Sequence, residues 1–117
     1  MKNEIEIQSF EFAVRTVNLF KHLTSNYREI DLFRQFLRSG TSIGANVAEA
    51  QKAQSYADFS SKMYIALKEA NESQYWLRLF RRTDYLSDAE YESMKNDVDS
   101  IISLLMAITK STKTPNS

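Results

Sequence analysis

Apolar residues recur every three or four positions along most of this chain, and polar punctuation interrupts them in three places. Between residues 4 and 24, Phe10, Val14, Val17, Phe20 and Leu23 keep helical spacing, and Phe12, Ala13 and Leu19 widen the stripe. This predicts an amphipathic helix with a broad buried face. Asn3 with Glu6 offers an N-terminal cap; the alternative is a chain that stays extended as far as Ser9. The stretch "TSNYRE" follows, and Asn26 with Glu29 has capping-box spacing.

A second pattern runs through Ile30, Phe33, Leu37, Ile43 and Val47, with Leu32 and Phe36 beside it. It contains the only two glycines of the chain, Gly40 and Gly44, four residues apart and on the face of Phe33, Leu37 and Val47. Each glycine costs a helix about 1 kcal/mol relative to alanine. The leading reading is a groove without side chains, into which a neighbouring helix packs closely. The alternatives are a bend near Gly40, favoured by Ser39, Thr41 and Ser42, and last a ligand loop. The phosphate-loop and dinucleotide glycine patterns are absent, and no strand precedes the segment.

Ser55 with Asp58 marks the next helix start. Beyond it Phe59, Met63, Ala66, Leu67, Ala70, Gln74 and Leu77 trace one face. Tyr56, Ser60, Tyr64, Asn71 and Tyr75 trace a second, which predicts burial on two sides, one in the core and one against a partner. "RRTDYLSD" reads as a turn, with Ser87 and Glu90 as a capping box. The last helix carries Tyr91, Met94, Val98, Ile101, Leu105 and Ile108. The pattern therefore predicts an all-α protein, an antiparallel up-down four-helix bundle. Residues 1–109 form the bundle domain, and residues 110–117 form a polar tail expected to be disordered.

Composition narrows the function classes. The 117 residues suit one domain. Lysine plus arginine is 15 and aspartate plus glutamate is 15, so no global charge draws the chain to phosphate backbones or acidic membranes. With no cysteine there is no disulfide, thiol nucleophile or thiolate metal site. No apolar run approaches the roughly 20 residues of a membrane span. "MKNEIEIQ" is too acidic and polar for a secretory signal, so a cytoplasmic location is expected.

The segment "LFRQFLRSGTSIGANVAEAQ", residues 32–51, resembles the central signature of the 23S ribosomal RNA intervening-sequence proteins. In that family the run reads roughly S-x-T/S-I-P-A-N-I-A-E-G. Here Gly44 stands at the proline and Ala50 at the final glycine. Asp58 with Phe59, Glu69 with Glu72, and "YLSDAEYESM" from Tyr85 to Met94 extend the likeness over most of residues 10–108. The resemblance implies a four-helix subunit assembled as a homopentameric ring, with no established enzyme activity. A more distant likeness is to the accessory variability proteins of retroelements, which are pentameric and bind nucleic acid. Those are strongly basic, unlike this chain.

The candidate residues fall into three groups. Arg38, Asn46, Glu49, Glu69 and Glu72 form an expected structural network that sets bundle register or a subunit interface; the alternative is ordinary solvated charge. Gly40 and Gly44 are the close-packing pair. Tyr75, Trp76, Arg78, Arg81 and Arg82 are the possible surface for nucleic acid or another partner, since arginines reach phosphates and aromatics stack on bases. Helix-end capping is the plain alternative for the arginines. His22, the only histidine, is expected at a wet helix end. No catalytic residue, cofactor site or metal site is expected. The leading function is a non-enzymatic self-assembling adaptor, meeting itself and an unidentified protein partner, with nucleic acid the less favoured partner and no membrane.

Overall fold

The computed structural model describes residues 3–111. They form four helices: α1 (Glu4–Asn26), α2 (Ile30–Ala50), α3 (Tyr56–Arg82) and α4 (Asp88–Ser111). The connections 27–29, 51–55 and 83–87 are too short to let successive helices run parallel. Each helix packs on the next and α1 closes on α4, giving a four-helix bundle of 48 × 25 × 21 Å. Helix α4 continues through Lys110 to Ser111, later than the expected end at 109. The remaining positions of the expected tail lie outside the described residues.

Three of the four helix starts are held by side chains. Asn3 accepts from the Glu6 amide at 3.0 Å, and the Glu6 carboxylate accepts from the Asn3 amide, so α1 starts at once rather than at Ser9. Ser55 accepts from Asp58 N at 3.0 Å, and Ser87 and Glu90 bond reciprocally. The box expected from Asn26 and Glu29 does not form. Asn26 is still inside α1 and donates to the His22 carbonyl at 2.7 Å, while Glu29 caps α2 without a side-chain bond. The "RRTDYLSD" turn closes α3 with Asp84 at φ 70°. Tyr85 N donates to Phe80 O and Asp84 N to Arg81 O, the paired bonds of a Schellman ending, usually built on glycine.

Phe12, Phe33, Phe36 and Phe80 fill one end of the core at 0–1% exposure. Phe33 meets Phe80 at 5.5 Å and Tyr85 at 5.0 Å between ring centroids, all edge-on, the arrangement aromatic quadrupoles favour. Met63, Ala66, Ala70 and Leu77 of α3 and Val98, Ile101 and Leu105 of α4 continue the core toward the other end.

Helix α1 departs from its apolar pattern. Ile5, Ser9, Phe12, Thr16 and Leu23 face inward, whereas Phe10 is 61% and Val14 40% exposed. The reason lies on α2. A Cβ built on Gly40 would stand 2.5 Å from Oγ1 and 2.6 Å from Cγ2 of Thr16, and one on Gly44 would stand 3.1 Å from the Ser9 carbonyl oxygen. The backbones approach so closely that small residues must face each other. Ser9 and Thr16 therefore take positions that hydrophobicity alone assigns elsewhere. Both hydroxyls bond to carbonyls of their own helix, to Glu6 and Phe12 respectively, which lets them be buried. Helix α2 runs unbroken through both glycines, with neither φ positive, so the alternative of a bend at Gly40 is not realised. The hydroxyls of Ser39, Thr41 and Ser42 bond back to Phe36, Leu37 and Arg38 carbonyls without interrupting it.

Candidate functional site

The seam between α2 and α3 carries a polar layer at mid-bundle. Arg38 sends one nitrogen to Glu69 at 3.2 Å and the other to Glu72. The two carboxylates stand three residues apart on α3, so one guanidinium fork spans both. The Glu69 side chain is 11% exposed and that of Arg38 is 53% exposed, so the pair is anchored in the wall and open to water on one side. Behind it the Ser73 hydroxyl lies 2.9 Å from Ser39 Oγ, and Ser39 Oγ lies 3.3 Å from the Phe36 carbonyl, a fully buried chain. The other two members of the expected network sit apart from this layer. Glu49 pairs with Lys62 at 3.5 Å, and Asn46 donates to the Ser42 carbonyl of its own helix.

The seam between α1 and α4 is the loosest of the four. Arg15 bridges it, donating to the Ser93 carbonyl at 3.2 Å, to Ser93 Oγ at 2.7 Å, and to the Asp97 carboxylate. Farther along, Ser100 donates to Gln8 at 2.9 Å. On one side of the Arg15 bridge lies a groove of about 530 Å³, with Asn18 and His22 on one wall and Glu90 and Met94 on the other. Hydrogen bonds from the Ser87 backbone and then its hydroxyl hold the Glu90 carboxyl below its ordinary range, with a smaller contribution from His22. His22 itself is exposed, as a helix-end residue would be, and its ring lies 3.4 Å from the Asn26 amide nitrogen. Arg15, Ser93 and Asp97 carried no signal in the sequence, because their meeting depends on the register of two helices far apart in the chain. No group of three metal-ligating side chains gathers among the described residues.

The five residues of the expected partner surface divide into two sets. Trp76 is half-buried against Phe80, rings 6.4 Å apart and nearly parallel, with its indole nitrogen buried and without a partner. Arg81 turns to α4, pairing with Asp88 at 2.5 Å and lying 5.9 Å over the Tyr91 ring. Tyr75, Arg78 and Arg82 remain on the outer face of α3, where Arg78 lies 5.9 Å over the Tyr75 ring. Lys68 shares that face at helical spacing and was missed, while Asn71 lies on it beside Tyr75, as on the expected second face of the helix. The spacing was legible, but the stripe could be recognised only once Trp76 and Arg81 had been assigned to other sides of the helix.

No helix of the described residues is long and apolar enough to cross a membrane. The sequence profile of one protein family, described as 23S rRNA-intervening sequence protein, matches residues 1–107. No curated protein matches the chain. Among solved structures, a protein of unknown function from the S23 ribosomal protein family of Bacteroides thetaiotaomicron is 54% identical. The match covers 91% of this chain and 98% of that one, with a TM-score of 0.89.

Proposed function

The chain belongs to the 23S rRNA-intervening sequence protein family, and from that premise we propose that it is a non-enzymatic, self-assembling scaffold. Its subunits form a homopentameric ring in the cytoplasm that offers repeated surfaces to a partner protein. The observation that carries this reading is the outer face of α1. Phe10 and Val14 are 61% and 40% exposed, and with Ala13 and Val17 they line a shallow groove of about 300 Å³. These are the positions with the strongest apolar pattern in the first helix, and the fold turns them outward. A continuous apolar strip of this kind marks an interaction surface. A ring needs a head-to-tail contact, in which this strip meets a different face of the next subunit.

Light scattering across a concentration series tests the proposal. The expected mass is five times 13.6 kDa, about 68 kDa, independent of concentration. Val14→Glu, on an exposed position, is expected to reduce it to the monomer mass while leaving the helical content unchanged. A wild-type monomer at every concentration, or a Val14→Glu protein of undiminished mass, would refute the reading.

A further inference from the structure

The outer face of α3 holds a row of cations that form no salt bridge, interleaved with polar and aromatic side chains. Lys68, Asn71, Tyr75, Arg78 and Arg82 succeed one another at spacings of three and four, and all five are exposed. The row is about 21 Å long at 1.5 Å per residue. It contains no carboxylate. The acidic residues of α3 are Asp58, Glu69 and Glu72. The first sits in the opening turn, and the other two are held by Arg38 on the α2 side. Along the neighbouring flank of α4, Asp88 is held by Arg81, and Asp99 by Gln74 and Lys95. Among the described residues, Lys68, Arg78 and Arg82 form no salt bridge. Glu69, Glu72, Asp88 and Asp99, the carboxylates beside this face on α3 and α4, are thus engaged elsewhere, and three cations without a salt bridge are left on it.

From this arrangement we infer that the outer face of α3 binds single-stranded nucleic acid. The three cations provide phosphate contacts at intervals along the row. Tyr75 is 48% exposed and offers a ring on which an unpaired base stacks, braced from below by Arg78. Asn71 adds amide donors and an acceptor beside it. A duplex suits the surface poorly. Helix α3 is flanked by α2 and α4 along its length, so it is a low ridge on a broad wall and cannot enter a major groove about 12 Å wide. An acidic peptide would match the cations but leave the ring without a use. The inference concerns one helix face of the subunit and holds whatever the subunit number.

Fluorescence anisotropy with a short labelled oligouridylate, in a salt series, tests it. Binding is expected at low salt, with log K falling against log salt at a slope of about −2 per subunit for three contacts on a single strand. The variant Lys68→Ala/Arg78→Ala/Arg82→Ala is expected to weaken binding more than about tenfold and flatten the slope. Arg78→Lys/Arg82→Lys, which keeps the charge, retains the slope, and so separates loss of charge from loss of fold. Tyr75→Ala weakens binding about tenfold with the slope unchanged. The exposed α1 substitution Lys21→Ala leaves binding as it is. The inference is overturned if oligouridylate does not bind at low salt, or if the triple variant binds as wild type does. It is equally overturned if a duplex of the same length, or polyglutamate, competes as well as the single strand.

Discussion

Replacing Gly40 by alanine puts two well-known effects in opposition at one site. In an isolated helix the change is favourable by about 1 kcal/mol, because glycine gives up more backbone freedom on folding. In this bundle the new methyl group would stand 2.5 Å from Thr16 Oγ1 and 2.6 Å from its Cγ2. Thr16 is fully buried, and its hydroxyl is bonded to the Phe12 carbonyl at 2.8 Å. Its side chain is β-branched, so χ1 has little freedom to move aside. The alternative is for α1 and α2 to separate, which loosens every contact along their seam. Overpacking of this kind costs about 1–3 kcal/mol, and the distances here argue for the upper part of that range. The expected net effect of Gly40→Ala is a destabilisation of about 1–2 kcal/mol. Urea unfolding at fixed protein concentration reads it as a lower midpoint with an unchanged slope. The double variant Gly40→Ala/Thr16→Ala sharpens the test. In a Thr16→Ala background the two closest atoms are gone, and Gly40→Ala becomes neutral or mildly stabilising. A coupling of about 1–3 kcal/mol is expected around the cycle. A Gly40→Ala protein more stable than wild type by the full helix-propensity gain would refute the close approach of the two backbones.

Other perturbations address the polar layer and the helix ends. Arg38→Ala leaves Glu69, with its side chain 11% exposed, beside Glu72 without a cation, and is expected to cost about 2 kcal/mol in urea unfolding. Adding Glu69→Gln to that variant is expected to recover part of the loss. Ser87→Ala removes the cap of α4 and costs about 1 kcal/mol. It also changes the acid limb. The folded Glu90 carboxyl lies below its ordinary value of 4.5, so its contribution is complete above that value and is lost as pH falls through the folded one. Thermal melts between neutral and acid pH are therefore expected to show a smaller acid loss in Ser87→Ala than in wild type. Asp84→Gly relieves a left-handed residue at φ 70° and is expected to raise stability by up to about 1 kcal/mol, read as a higher melting midpoint.

How much of this was legible in the chain differs from helix to helix. Periodicity alone placed four helices, because the apolar spacing and the capping pairs Ser55–Asp58 and Ser87–Glu90 are local features acting within one or two turns. Helix α4 needed no correction to its inward face, since Met94, Val98, Ile101 and Leu105 are both its most apolar row and its buried one. Helix α1 shows where local reasoning stops. The first half of its apolar row, Phe10 and Val14, points outward, and Ser9 and Thr16 point inward, because Gly40 and Gly44 of another helix leave room only for small neighbours. That choice belongs to a pair of surfaces and is written in neither one alone. The polar contacts follow the same rule. Arg38, Glu69 and Glu72 were recognisable as residues of interest, yet their pairing required the register of α2 against α3. Arg15, Ser93 and Asp97 required the register of α1 against α4, helices nearly a chain length apart. The arginines of α3 were visible in sequence, but which cations of that helix stayed out of salt bridges was decided by where the carboxylates of two other helices came to rest. The chain by itself determined its four helices, the capped starts of α3 and α4, and their order. Only packing decided which side of α1 is inside and which polar groups meet across the seams, because burial is settled by the shape of the facing surface as well as by the hydrophobicity of a residue.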